Sequence, residues 1–72
     1  MSKRSKREEK IRKSPKNVSL KDFEALIKEY GYIKEGGKHP KAGIGNHTMP
    51  YKRENAVKPV YIKELLRIID SL

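Results

Sequence analysis

A chain of 72 residues holds one domain at most, and its 18 Lys and Arg against nine Asp and Glu leave a formal charge of +9. That balance, with an isoelectric point near 9.9, favours polyanionic partners, nucleic acid first among them. The absence of cysteine excludes disulfides and thiolate zinc sites. No apolar run approaches the roughly 20 residues of a membrane span.

The first 17 residues differ in composition from the rest. Eight of the 18 Lys and Arg lie there, against only Glu8 and Glu9. Beyond Met1, Ile11 is the one sizeable apolar residue in the segment, which gives it little to bury. Residues 1–17 are therefore expected to be a disordered basic tail, or at best a transient helix. The tail also lacks the apolar core of a signal peptide, so a cytoplasmic location is expected. The folding unit is then residues 18–72, a size at which domains fold alone only marginally.

"VSLKDF" reads as a helix start. Ser19 suits the N-cap, Asp22 three residues on gives an acidic variant of the capping box, and Val18 and Phe23 have the spacing of a hydrophobic staple. Leu20, Phe23, Leu26, Ile27 and Tyr30 recur at helical spacing, so the pattern predicts a helix over 20–30 with Gly31 as its C′ residue.

The period then changes. "YIKEGGKHPKA" reads as two strands joined at Gly36-Gly37, a dipeptide suited to the positive-φ positions of a two-residue hairpin. "GIGN" supplies a second turn and "HTMPYKR" a third strand. The register that follows pairs Lys34 with His39, Ile33 with Pro40 and Tyr32 with Lys41. Across the second turn, centred on Ile44-Gly45, it pairs Pro40 with Met49 and His39 with Pro50. One face then collects Ile33, Pro40, Ala42, Met49 and Tyr51, and the other Tyr32, Lys34, His39, Lys41, Thr48, Pro50 and Lys52. Pro40 sits awkwardly in a central strand because it lacks an N–H, which a bulge or a strand that starts after it would resolve.

Pro59 opens a last helix over about 59–70, with Tyr61, Leu65, Ile68 and Leu72 on one stripe and Ile62, Leu66 and Ile69 beside it. The expected class is α+β, a two-layer α-β-β-β-α domain whose three-stranded antiparallel sheet carries both helices on one face.

In this order the pieces "VSLKDFEALIKEYGY", "EGGKHPKA", "TMPY" and "VKPVYIKELLRIID" resemble the HicA family of bacterial and archaeal toxins, over residues 18–72. Two positions depart from the family pattern: Pro40 replaces a second histidine or an apolar residue, and "KPVY" replaces "KPGT". The resemblance implies a double-stranded-RNA-binding-domain-like fold used as an endoribonuclease that cleaves mRNA. It further implies a HicB-like antitoxin partner, and it assigns the catalytic histidine to His39.

RNA carries its own nucleophile in the 2′-hydroxyl, so its cleavage requires no cofactor. It does require proton transfers and positive charge around the phosphorane. Histidine suits the proton steps because an imidazole titrates near neutrality. On this reading His39 is general acid/base, Lys34, Lys38, Lys41 and Lys52 contact phosphate, and Tyr32 stacks on a base. The second proton-transfer group stays open among Lys34, Lys41 and His39 acting in turn. His47, on the apolar side, is read as incidental, and no metal site is expected. Two other readings stand beside this one: a noncatalytic nucleic-acid-binding module using the same face and tail, and a small protein-interaction domain whose charge serves solubility.

Overall fold

The computed structural model describes residues 4–72, so Met1, Ser2 and Lys3, part of the segment expected to be disordered, lie outside the described residues. Six elements follow in order: α1 (Lys6–Lys13), α2 (Leu20–Tyr30), β1 (Tyr32–Lys34), β2 (Lys41–Ile44), β3 (His47–Pro50) and α3 (Pro59–Asp70). The class is α+β, and the sheet is antiparallel with strand order β1-β2-β3.

Within the segment expected to be a disordered tail or at best a transient helix, Lys6–Lys13 form α1. Ser5 caps the helix by accepting from the Glu8 amide at 3.1 Å. Glu8 and Glu9 fall in its first turn and Lys10, Arg12 and Lys13 in its last, the sense that complements the helix dipole. Ile11 (2% exposed) and Glu8 (1%) face inward. The buried carboxylate is satisfied by Arg12 Nε at 2.9 Å and by the Tyr30 hydroxyl. Arg12 continues to Asp70 at the end of α3, at 2.7 Å. A segment poor in apolar residues is thus docked by one isoleucine and one fully partnered charge.

α2 matches the expected helix at both ends, with the Ser19 side chain accepting from the Asp22 amide at 3.2 Å. Gly31 does not take the left-handed C′ conformation expected of it; its φ is −165°. A Cβ there would fall 1.9 Å from the Gly43 carbonyl oxygen, so glycine is required because the backbone of β2 passes directly against it.

The register differs from the expected one by two residues at both interfaces. Tyr32 pairs with Gly43, Ile33 with Ala42 and Lys34 with Lys41; Lys41 pairs with Pro50, Ala42 with Met49, Gly43 with Thr48 and Ile44 with His47. The cause is Pro40: with no N–H to give the ladder, it precedes the strand, and the chain from Glu35 to Pro40 becomes a loop. The second turn is centred on Gly45-Asn46, where Gly45 has φ +60°, the sign a type II′ turn needs at its first central position. A shift of two keeps the side chains that remain in the strands on their expected faces, because strand faces alternate with period two, while His39 and Pro40 leave the sheet for the loop.

Ala42, Ile44, Met49 and Tyr51 join Phe23, Leu26 and Ile27 of α2, Ile62, Leu65, Ile68 and Ile69 of α3, and Ile11 of α1 in one core. Within it the Phe23 and Tyr51 rings meet edge to face at 5.0 Å. In α3 the buried stripe centres on Ile62, Leu65 and Ile69 rather than on Tyr61 and Leu72, and Leu72 is exposed. The starts of α2 and α3 are stitched together, Val57 N–H donating to the Val18 carbonyl at 3.0 Å and Leu20 N–H to that of Asn55 at 3.2 Å. Among the described residues no helix is long and apolar enough to cross a membrane.

Candidate nucleic-acid site around His39

The loop from Glu35 to Pro40 leaves and re-enters the sheet between the paired Lys34 and Lys41. Gly36 (φ +131°) and Gly37 (φ +69°) carry it through conformations that side chains rarely adopt. Nothing lies within 4 Å of a Cβ built on either, so the requirement there is conformational, not steric.

Both ends of the loop are anchored. At its start Arg53 grips the Glu35 carboxylate in a two-pronged pair, Nη1 to Oε1 at 2.8 Å and Nη2 to Oε2. The same guanidinium donates through Nε to Glu24 at 2.7 Å, and Glu24 also accepts the Tyr51 hydroxyl at 2.5 Å. At its end Pro40 is buried, and its carbonyl accepts from the Tyr51 amide at 3.1 Å.

These contacts set the local ionisation. The hydrogen bond from Arg53 holds the Glu35 carboxyl below the usual glutamate value. Burial pushes Glu24 up, but the hydrogen bonds from Tyr51 and Arg53 outweigh it and leave its carboxyl lowered. Burial, then the bond to Glu24, raises the Tyr51 phenol. Arg53 therefore binds two carboxylates that stay ionised beside it.

His39 is exposed on this loop, between two open depressions. The first, about 400 Å³, is lined by Lys34, Lys38, His39, Lys41 and Pro50 together with the glycine pair and Glu35, whose carboxylate is held by Arg53. The second, about 490 Å³, adds Lys52, Arg53 and Glu54 to Lys38 and His39. His39 does not occupy a strand position opposite Lys34, as the expected register had it; the register partner of Lys34 is Lys41. The loop nevertheless brings His39 into one depression with Lys34, Lys38 and Lys41, while Lys52 belongs to the other. Tyr32 lies further along the outer sheet face, outside both.

No protein-family model, curated protein or solved structure matches this chain.

The site therefore stands on its own chemistry, and the ion pairs of the fold, made through five arginines and through Lys10 to Asp22, leave its lysines out. Arg4, Arg7, Arg12, Arg53 and Arg67 each pair with a carboxylate. Among the described residues Lys34, Lys38, Lys41 and Lys52 make no such pair. Arg12 and Arg53 tie separate elements together, and the lysines around His39 make no ion pair within the described chain. Sequence reasoning missed Glu35 and Arg53 as the anchor of the loop. Their pairing spans 18 residues and carries no local signal. It also missed the docked helix, although Ser5 and Glu8 have the spacing of a capping box.

Proposed function

We propose that this chain is an mRNA-cleaving toxin of the HicA kind, with His39 as its general acid/base and Lys34, Lys38, Lys41 and Lys52 as its phosphate ligands. The observation that carries the reading is an exposed imidazole on an anchored glycine loop, among four lysines that have no carboxylate partners. The two-layer arrangement would then be the double-stranded-RNA-binding-domain-like one, with α1 added to it.

The chemistry follows from the substrate. The 2′-oxygen attacks the adjacent phosphorus while His39 removes its proton; the bond from phosphorus to the 5′-oxygen breaks, leaving a 2′,3′-cyclic phosphate, and that oxygen takes up a proton from Lys34, Lys41 or the protonated His39 acting in turn. The lysines offset the charge that grows on the phosphorane. Proton transfer by one placed group contributes ~10²–10⁴-fold, so a slow enzyme is expected. A HicB-like antitoxin would silence it by covering the His39 loop, and the cytoplasm is where such a pair would act.

The test is His39→Ala. Cleavage of an RNA oligonucleotide should fall by about 10²-fold or more while RNA affinity holds. Undiminished cleavage would end the catalytic assignment. RNA binding by a wild-type protein that cleaves nothing would favour the second reading, a noncatalytic module using the same unpaired lysines.

A further inference from the structure

The two depressions beside the His39 loop differ in their acids. Glu35 lines both, but its carboxylate is taken up by Arg53. The second depression adds Glu54. Of the nine acidic residues, only Glu9 and Glu54 make no ion pair within the described chain. Glu9 lies on α1, so Glu54 is the one unpaired acid at the His39 depressions. Arg53, next to it in the chain, already donates from each of its three nitrogens to Glu24 or Glu35. Glu54 is exposed, yet the chain is fixed on both sides of it. Arg53 is tied to those two carboxylates, and the Asn55 carbonyl accepts from the Leu20 amide at 3.2 Å. A carboxylate held in a cleft of lysines works against phosphate binding, so phosphate is not what it receives.

We infer that Glu54 reads the base of a nucleotide flanking the cleaved bond, and that it selects guanine. This rests on the reading of the His39 face as an RNA-cleaving site and adds a sequence preference to it. A carboxylate accepts hydrogen bonds through two oxygens and donates none. An unpaired base presents its Watson–Crick edge to such a group. On guanine that edge carries two adjacent donors, N1–H and the N2 amino group, which meet the two oxygens side by side as a guanidinium does. Adenine and cytosine offer one amino group beside a ring-nitrogen acceptor. Uracil offers one N–H between two carbonyl oxygens, and both of these repel a carboxylate. His39 borders both depressions. A phosphate held by Lys34 and Lys41 in the first therefore leaves the neighbouring base to the second, where Lys52 stands ready for the next phosphate.

The experiment uses the full chain and four labelled strands: oligouridine, and the same strand with a single guanosine, inosine or adenosine. The wild-type chain should cut the guanosine strand chiefly at a bond beside the guanosine. Its kcat/KM there should exceed that for oligouridine by at least about 5-fold. Inosine, which keeps N1–H but lacks the amino group, should retain part of the gain, and adenosine none of it. Glu54→Gln keeps the size of the side chain but turns one acceptor into a donor, and it should abolish the difference between guanosine and uridine. Glu54→Asp, which keeps both oxygens, should preserve a preference. An equal change for every strand in Glu54→Gln would mean that the carboxylate merely adjusts local charge. That outcome, or a wild-type chain that cuts all four strands alike, refutes the assignment. Binding of the same strands to the His39→Ala chain gives the guanosine-to-uridine ratio without cleavage. A wild-type protein that cleaves nothing thus ends the ribonuclease reading, while the binding ratio still decides the role of Glu54.

Discussion

The Tyr30 hydroxyl donates to the buried carboxylate of Glu8, joining the end of α2 to a helix 22 residues earlier in the chain. The bond raises the Tyr30 phenol above its ordinary value, with burial adding to it. It also explains how so polar a helix stays attached: Glu8 offers its charge to Tyr30 and Arg12, and Arg12 carries the link on to Asp70. Because α1 is docked, substitutions on its inner side should behave as core substitutions do. Ile11→Ala should cost roughly 2–5 kcal/mol, and Tyr30→Phe, which leaves a buried carboxylate short of a donor, about 1–3 kcal/mol. Lys13→Ala, on the exposed side, should stay within about 0.5 kcal/mol. Urea unfolding of the three variants measures this. A chain of 72 residues has only roughly 4–11 kcal/mol in all, so Ile11→Ala should bring it near the threshold. Equal, negligible effects would mean that residues 6–13 are a mere appendage.

Gly31 and Gly36 both resist side chains, for different reasons, and the difference is measurable. At Gly31 the obstacle is the Gly43 carbonyl, part of the sheet backbone, which cannot swing aside. Gly31→Ala should therefore exceed the roughly 1–3 kcal/mol of ordinary overpacking and separate α2 from β2. At Gly36 there is open space, and only the φ of +131° resists. Gly36→Ala should cost about 1–3 kcal/mol of backbone strain or relax the loop. Its thermal midpoint should lie clearly above that of Gly31→Ala, and the reverse order would contradict the close approach.

The contrast between these glycines also marks what was legible in the sequence. Positive φ at Gly36 and Gly37 is readable because turn chemistry is local. The contact between Gly31 and Gly43 was not, since it joins residues through a register that the sequence constrains only in parity. Alternation placed Ile33, Ala42 and Met49 on one face and Tyr32, Lys34 and Lys41 on the other, and that placement holds after the two-residue shift. The shift itself comes from Pro40: of the two resolutions its missing N–H allows, a bulge or a strand that starts after it, β2 takes the second. The ends of α2 were legible from Ser19 and the apolar period. α1 was lost because its burial depends on Glu8, a residue type that composition counts as solvent-facing.

The carboxylates of Glu24, Glu35 and Asp70 all lie below their ordinary values, Glu35 through Arg53, Asp70 through Arg12, and Glu24 through Tyr51 and Arg53 against the opposing effect of burial. A group whose folded pKa is depressed stabilises the fold above its unfolded value and loses that contribution as pH falls through the folded one. The loss should therefore be concentrated below about pH 4.5, the ordinary glutamate value. Thermal melts taken from neutrality into acid check it, and Glu24→Gln should flatten the acid limb. A loss of stability already complete above pH 4.5 would contradict the ion-pair account.

Arg53 is a positioning residue on this account: it grips Glu35 at the root of the loop that carries His39. Arg53→Ala should lower the rate of RNA cleavage by about an order of magnitude, as loss of orientation does, with KM changed far less than kcat. Arg53→Lys should not rescue it, because an ammonium cannot grip Glu35 with two prongs and reach Glu24 as well. Single-turnover kinetics at saturating RNA separate the two constants. A rise in KM alone would make Arg53 another phosphate contact instead of an anchor.

The free lysines lead to a prediction about salt. Each cation that neutralises a phosphate of a single strand contributes about −0.7 to the slope of log affinity against log salt. Lys34, Lys38 and Lys41 line the first depression with His39, and Lys52 lines the second. Removing Lys41 from a His39→Ala background should make the slope shallower by about 0.7 and weaken every RNA sequence to a similar degree, because phosphate contacts carry no sequence information. Lys63→Ala, exposed on α3, should leave the slope unchanged. Titrating both proteins with one labelled strand over a range of salt compares them directly. An unaltered slope for Lys41→Ala would remove phosphate from the first depression and leave the imidazole without the substrate that gives it a role.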